Sequence, residues 1–320
     1  MPTRRLVQSM IAAGFAAVFL AQPATAQDRV SVVATTGMIA DAARQVGGDL
    51  VEVTALMGPG VDPHAYRQTR SDIVTTARAD LVLWNGLYLE AQMEEFLLEL
   101  SQTRPVVAVA ETISADQLLG SEDYADRFDP HVWMVPELWS HVVVAVRDAM
   151  ISVHPEGAEV FAANATAHLE ELTALHAYSV DALASVAAPA RVLLTAHDAF
   201  NYFGAAYGFD VVGIQGISTE SEAGLLRISE LVDLLVDQDI HAVFVESSVS
   251  DRNIRALIEG AATRGHQVAI GGELYSDAMG AEGTYEGTYI GMIDHNVTTI
   301  ARALGGAAPE RGMRQELALN

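Results

Sequence analysis

The feature that most restricts the fold is one uninterrupted helical pattern over residues 155–188. At 1.5 Å per residue, roughly 34 residues span about 50 Å, close to three times an average globular helix. Pro155 suits a first helical turn, Glu156 and Glu159 suit the positive end of the helix dipole, and Pro189 stops the run. Phe161, Ala165, Leu169, Leu172, Leu175, Ser179, Leu183 and Val186 recur at three- and four-residue steps, leaving Glu170, Glu171 and Asp181 on the other side. A helix with one apolar stripe is too polar to cross a bilayer and too long for one small domain. It reads as a strut between two lobes; the alternative is a long helix lying along a single domain.

The flanking sequence follows one grammar twice. Before the strut, strand-like runs at 29–36, 51–57, 79–84 and 105–110 alternate with helical stretches at 38–46, 71–78 and 88–100, and Pro136 opens a further helix. After it, strands at 191–196, 211–214, 242–245 and 268–270 alternate with helices at 198–207, 222–235, 253–264 and 285–304. Alternation of this kind implies parallel sheets covered on both faces. The expected fold is therefore α/β, with two doubly wound α/β lobes joined by one long rigid helix. Its divisions are a signal peptide at 1–26, an N-terminal lobe at 27–154, the linking helix at 155–188 and a C-terminal lobe at 189–320.

The signal peptide rests on the order Arg4-Arg5, an apolar run from Met10 to Leu20, then Ala24-Thr25-Ala26. It predicts an exported, periplasmic protein. With no cysteine in the sequence, disulfides, thiolate metal sites and a lipid-modified N-terminal Cys are all excluded. No lipid anchor is expected, and the chain is expected to act as a monomer. The formal charge of −24 repels nucleic acid and anionic lipid, every basic residue being Arg, and makes cations the natural partners.

Two matching tripeptides, Asp62-Pro63-His64 and Asp129-Pro130-His131, lie in loops at the C-terminal side of predicted strands, where open α/β sheets bind ligands. Proline fixes a backbone dihedral beside each imidazole. The aspartates could orient the histidine rings or simply make local turns, and the turn is the expectation. His197 ends a strand, and Asp277 lies in the loop that begins at Gly271. Three neutral imidazoles and one carboxylate suit a divalent first-row metal, with two ligands from each side of the strut. Glu246 and Glu273, at strand ends, could support these ligands or merely cap. His168 and His176 read as a solvated face of the strut. His141, His154, His241, His266 and His295 are taken as structural, and Trp84, Trp133 and Trp139 as packing.

In these segments the chain resembles the TroA-type, cluster A-I solute-binding proteins that deliver zinc, manganese or iron(II) to ABC importers. The resemblance runs through residues 58–66, 129–133, 195–200, 215–219, 244–248 and 271–280, and covers essentially the whole exported chain. It implies two α/β lobes bridged by one long helix, metal ligands at His64, His131, His197 and Asp277, and an ABC permease in the inner membrane as partner. Many manganese-type members carry Glu at the third ligand, where this chain has His197. Zinc-specific members often carry a His-rich loop, which residues 118–128 lack. Nitrogen-rich ligation puts zinc ahead of manganese, with iron(II) also open.

Three functions compete. A periplasmic solute-binding protein would capture the metal between its lobes and hand it to an ABC importer. A receptor for an organic ligand or metal chelate would use the same architecture with aromatic or Arg-lined loops. A zinc hydrolase would need an open metal position, which a four-ligand set does not leave, and no His-Glu-x-x-His or Gly-x-Ser-x-Gly motif is present. No enzyme activity is expected. Metal affinity should fall as pH drops through about 6, near the reference His pKa.

Overall fold

The computed structural model describes residues 29–318 except 122, 123 and 125; the signal peptide read at 1–26 lies outside the described residues. Strands β1 (Val30–Ala34), β2 (Val51–Ala55), β3 (Leu81–Trp84) and β4 (Val106–Ala108) form a fully parallel sheet in the order β2-β1-β3-β4. All four residues of β3 are buried, as expected of a central parallel strand covered on both faces. Helices α1 (Gly37–Gly47), α2 (Arg70–Arg78) and α3 (Glu94–Leu100) connect these strands, and α4 (Pro136–Val153) follows with its proline in the first turn. Thr36 caps α1, and Thr69 with Asp72 forms a capping box on α2. From β1 the chain moves to β2 on one side and to β3 on the other, so the sheet has its switch point there. Ligand-binding loops are expected at the C-terminal edge of such a point.

The long helix is shorter than the pattern predicts. Pro155–Gly157 is a 3-10 turn, α5 runs Ala158–Ala184 over 27 residues, or about 40 Å, and a second 3-10 turn covers Ala188–Ala190. The helix stops before Pro189 because the backbone and hydroxyl of Ser185 both turn back to the Ala182 carbonyl, a tightening typical of a last turn. Its buried series is Phe161, Ala165, His168, Leu172, Leu175, Ser179, Ala182 and Leu183. His168 therefore faces inward, correcting its reading as solvated: position 168 fits the three–four spacing as well as Leu169 does.

The second half repeats the pattern. β5 (Val192–Thr195) pairs in parallel with β6 (Asp210–Gly213), β7 (Ala242–Glu246) pairs in parallel with β8 (Ala269–Leu274), and β5 lies beside β7. Helices α6 (Asn201–Tyr207), α7 (Leu225–Asp237), α8 (Arg252–Thr263) and α9 (Tyr289–Ala303) cover them. Gly271 is an extra residue opposite the Val243/Phe244 step, and a side chain there would meet the Phe244 ring at 2.9 Å. The helix read over 88–100 begins only at Glu94, because Leu87 and Tyr88 take φ of 53° and 69°, outside helical geometry.

α5 packs on α1 and α4 from the first half and on α9 from the second. The N-terminus of α9 is tied across as well. The Tyr289 N–H donates to Asp41 (2.9 Å), its hydroxyl donates to the Trp133 carbonyl (2.8 Å), and its ring stacks on Trp139 with centroids 5.1 Å apart. One apolar core consequently runs from Val32 and Leu83 through Phe161 and Leu172 to Met292 and Ile300. A smaller core of Leu194, Leu235, Val243 and Leu257 lies behind the second set of strands. No helix of the described residues is long and apolar enough to cross a membrane.

Candidate metal centre

The two Asp-Pro-His loops share a backbone device and then diverge. In each, the aspartate Oδ1 accepts the N–H of the histidine two residues on, at 2.9 Å. This is the local turn expected from the sequence. The second aspartate does more: Asp129 Oδ1 also meets His131 Nδ1 at 2.7 Å, so His131 points Nε2 into the site. Asp62 instead reaches across the groove, its Oδ2 accepting from the Thr219 hydroxyl at 2.5 Å. The Asp129 carboxylate is held by Asn201 (3.1 Å), and its carbonyl by the Tyr202 hydroxyl (2.9 Å).

Beneath the His131 loop sits a buried carboxylate that the sequence reading did not single out. Glu90 Oε1 accepts from the Thr35 hydroxyl (2.6 Å) and the Asn85 N–H (2.8 Å), and Oε2 accepts from the Gly86 N–H (3.3 Å). The Asn85 side chain then donates to the Pro130 carbonyl at 3.2 Å, next to His131. Burial pushes the Glu90 carboxyl up to about 7. Glu90→Ala strands three buried donors, and should lower unfolding free energy by about 3 kcal/mol or more in chemical denaturation. A loss below about 1 kcal/mol would contradict this role.

From the second half, His197 lies two residues past the end of β5 and Glu246 closes β7. One Glu246 oxygen accepts the His197 N–H (2.8 Å), and the other lies 2.5 Å from His197 Nδ1. Both oxygens of one carboxylate therefore hold one histidine, and Nε2 is the nitrogen left to face the centre. Asp277 lies in the loop after β8, which the first half anchors through Trp133 Nε1 donating to the Ser276 carbonyl at 2.7 Å. Trp133 thus packs, as expected, and also positions the loop. That second role had no signal in the sequence. Glu273, by contrast, is exposed and away from the centre; its carbonyl accepts from His295. Glu246→Gln should weaken metal binding about 10- to 100-fold in a titration while leaving the thermal midpoint within a few degrees. Unchanged affinity would remove Glu246 from the site.

The structure brings His64, His131, His197 and Asp277 together, all four buried and with their candidate ligand atoms within 4.8 Å of one another. His64 Nε2 and His131 Nε2 are 3.2 Å apart; Asp277 Oδ1 is 3.5 Å from His131 Nε2, and Asp277 Oδ2 is 3.2 Å from His197 Nε2. The last approach is not aligned as a hydrogen bond. His197 Nε2 and Asp277 Oδ1 are buried polar atoms with no hydrogen-bond partner. Such atoms are costly to bury unless something else satisfies them, and a cation among them would do so.

Electrostatics point the same way. Burial pushes His64 down to about 3, so that ring is neutral. Burial works against charge on His131 too, but the Asp129 and Asp277 carboxylates outweigh it and hold the ring up at about 9. For His197, Asp277 and Glu246 likewise overcome burial and raise it well above its ordinary value. Asp277 is held well below the carboxylate range despite burial, by His197 and His131. The surrounding carboxylates therefore favour the protonated forms of His131 and His197, so that protons compete with a cation for these two nitrogens.

Beside the centre, on the outer side of His64, a cavity walled by Tyr88, Phe128, Pro130 and Ile217 holds about 10 Å³, the room of one water; His131, His197 and Asp277 do not line it. A second cleft of about 210 Å³ passes the far side of Asp277 between Gly37 and Met279, and none of the three imidazoles lines it. Organic ligands of drug-like size occupy about 300–1,000 Å³.

Comparison with known proteins adds the relatives of this arrangement. The family model described as ZnuA, zinc-uptake complex component A, periplasmic, matches residues 32–303. The chain is 48% identical to the manganese-binding lipoprotein MntA of Bacillus subtilis over 280 residues, covering 88% of this chain and 91% of MntA. It is 46% identical to the zinc-binding protein TroA of Treponema pallidum over 291 residues, covering 91% of this chain and 94% of TroA. The solved structure of that periplasmic zinc-binding TroA superposes with a TM-score of 0.84, covering 86% of this chain and 99% of TroA. Two relatives of nearly equal identity thus carry the names of different metals.

Proposed function

The chain belongs to the periplasmic zinc-uptake component A family, and on that premise we propose that it is a periplasmic solute-binding protein which captures one divalent transition metal and delivers it to an ABC importer. His64, His131, His197 and Asp277 are its ligands. The observation that carries this reading is the convergence of three imidazoles and one carboxylate, with Nδ1 of His131 and of His197 already engaged by carboxylates and Nε2 of each turned inward. Zinc is favoured over manganese, since nitrogen-rich sites follow the Irving–Williams order, with iron(II) between the two. The lobes divide at 27–154 and 189–320, with the linking segment 155–188 between them, and each supplies two ligands.

Four buried protein ligands fill a tetrahedron and leave no position for a catalytic water, so the reading assigns no enzyme activity. The closeness of the four candidate ligand atoms, all within 4.8 Å of one another, supports a bare ion over an organic ligand or chelate. Because the core and α5 are shared by both halves, opening should be a small loop movement, not a wide hinge swing. A permease in the inner membrane would release the ion by displacing the loop of His64 or of Asp277. The sequence holds no cysteine, so the reading keeps the exported protein free of a thioether-linked lipid. Mass-spectrometric metal content after purification without added metal, followed by zinc–manganese competition, tests the proposal. One tightly held zinc that manganese fails to displace is expected; protein without a tight metal would reject it.

A further inference from the structure

We propose that the chain carries a second, solvent-facing metal site for a zinc-class divalent cation, built from Asp239, His241 and His266. The candidate ligand atoms of these three residues lie within 4.8 Å of one another. The inference rests on their own geometry and stands apart from the reading of the buried centre. They occupy the opposite end of the second lobe. His241 immediately precedes β7, whose last residue, Glu246, supports His197, so the two sites are about 17 Å apart along one strand.

Both histidines have one nitrogen committed in a way that leaves no choice of tautomer. His241 Nδ1 is 2.8 Å from the Gln267 carbonyl, and His266 Nε2 is 2.7 Å from the Ile240 carbonyl. A carbonyl can only accept, so each of these nitrogens carries the proton. Neutral His241 therefore presents a lone pair at Nε2, and neutral His266 presents one at Nδ1. Both face Asp239: His241 Nε2 lies 3.1 Å and His266 Nδ1 lies 3.9 Å from Asp239 Oδ1. With both rings neutral, as in the alkaline range, three acceptors converge with no donor between them, an arrangement that a metal cation resolves. Backbone carbonyls fixing imidazole tautomers are the usual second layer of a metal site.

The backbone holds the three groups in place. Asp239 adopts φ of 56°, a left-handed conformation that Asp tolerates, turning the chain from α7 toward β7. The Ala269 N–H donates to the His241 carbonyl at 2.9 Å, joining the β7 and β8 entrances so that the two rings lie 4.7 Å apart, tilted by 30°. Asp239 and His241 are exposed and His266 half-buried, so small side-chain rotations can bring all three to bonding distance. Two nitrogens and one oxygen leave coordination positions for water, which makes this site weaker than the buried one.

The test is a zinc titration of the chelator-stripped full chain against a chromophoric competitor, at a pH near 8. Wild type should bind two zinc ions, one tight and one weak. Asp239→Asn and His241→Gln, both at exposed side chains, should each lose the weak event and leave the tight one unchanged; His64→Ala should do the reverse. One zinc per wild-type chain, or a weak event that survives His241→Gln, would overturn the second site. A tight event that survives His64→Ala would instead count against the buried centre, so the two failures are distinct.

Discussion

Replacing His197 or Asp277 by alanine should lower zinc affinity about a hundredfold to a thousandfold in competition titrations. Binding to a four-ligand protein site is worth about 10–16 kcal/mol, or roughly 3 kcal/mol per ligand, and about 1.4 kcal/mol is a factor of ten. The two variants should differ otherwise. Loss of His197 leaves one Glu246 oxygen buried without the ring nitrogen it now meets, while the other keeps the backbone N–H of residue 197. Loss of Asp277 removes the one carboxylate that faces both His131 and His197. Asp277→Asn keeps an oxygen ligand but not the charge, and should fall between wild type and Asp277→Ala. A drop of less than tenfold in either alanine variant would contradict the assignment.

Zinc affinity should also fall steeply with acidification, by about a hundredfold or more between pH 8 and pH 6. The sign follows from the proton count. In the metal-free protein His131 stays protonated up to about 9, and His197 is raised well above its ordinary value. Both must release a proton to coordinate, so protons compete with the metal below those pKa values and stop competing above them. His64, neutral down to about 3, adds nothing in this window. The fall therefore begins well above the value near 6 expected from an isolated imidazole, because Asp129, Asp277 and Glu246 favour the charged rings. Calorimetry in buffers of different ionisation enthalpy should count between one and two protons released per zinc at pH 7.5. Zero release, or flat affinity over that range, would contradict three-histidine ligation.

Much of this was legible in the residues. Eight strand-like runs separated by amphipathic stretches placed all eight strands of the described residues within a few positions. The repeated Asp-Pro-His marked two of the four residues that converge, by a rarity that chance seldom duplicates. Misreadings arose where tertiary contacts decide what local pattern leaves open. Position 168 fits both faces of α5, and only the packing on α1, α4 and α9 selects the inner one. The turn at 87–93 has helix-forming residues, yet the buried Glu90 holds the backbone of Asn85 and Gly86 and bends the chain. The two aspartates of identical tripeptides differ because Asp129 meets an imidazole whereas Asp62 meets Thr219, more than 150 residues away. Glu246 could be named as a candidate but not assigned, since its partner His197 lies in the loop after a different strand, β5. His241 and His266 looked ordinary for the same reason: the carbonyls that fix their tautomers come from each other's loops.

The most direct measurement is diffraction from crystals of the zinc-loaded protein on both sides of the zinc absorption edge. An anomalous peak is expected about 2.0–2.2 Å from Nε2 of His64, His131 and His197 and from the Asp277 carboxylate at once. A peak between the two halves of the chain that lacks contact with His64 or Asp277, or no peak there at all, would contradict that assignment.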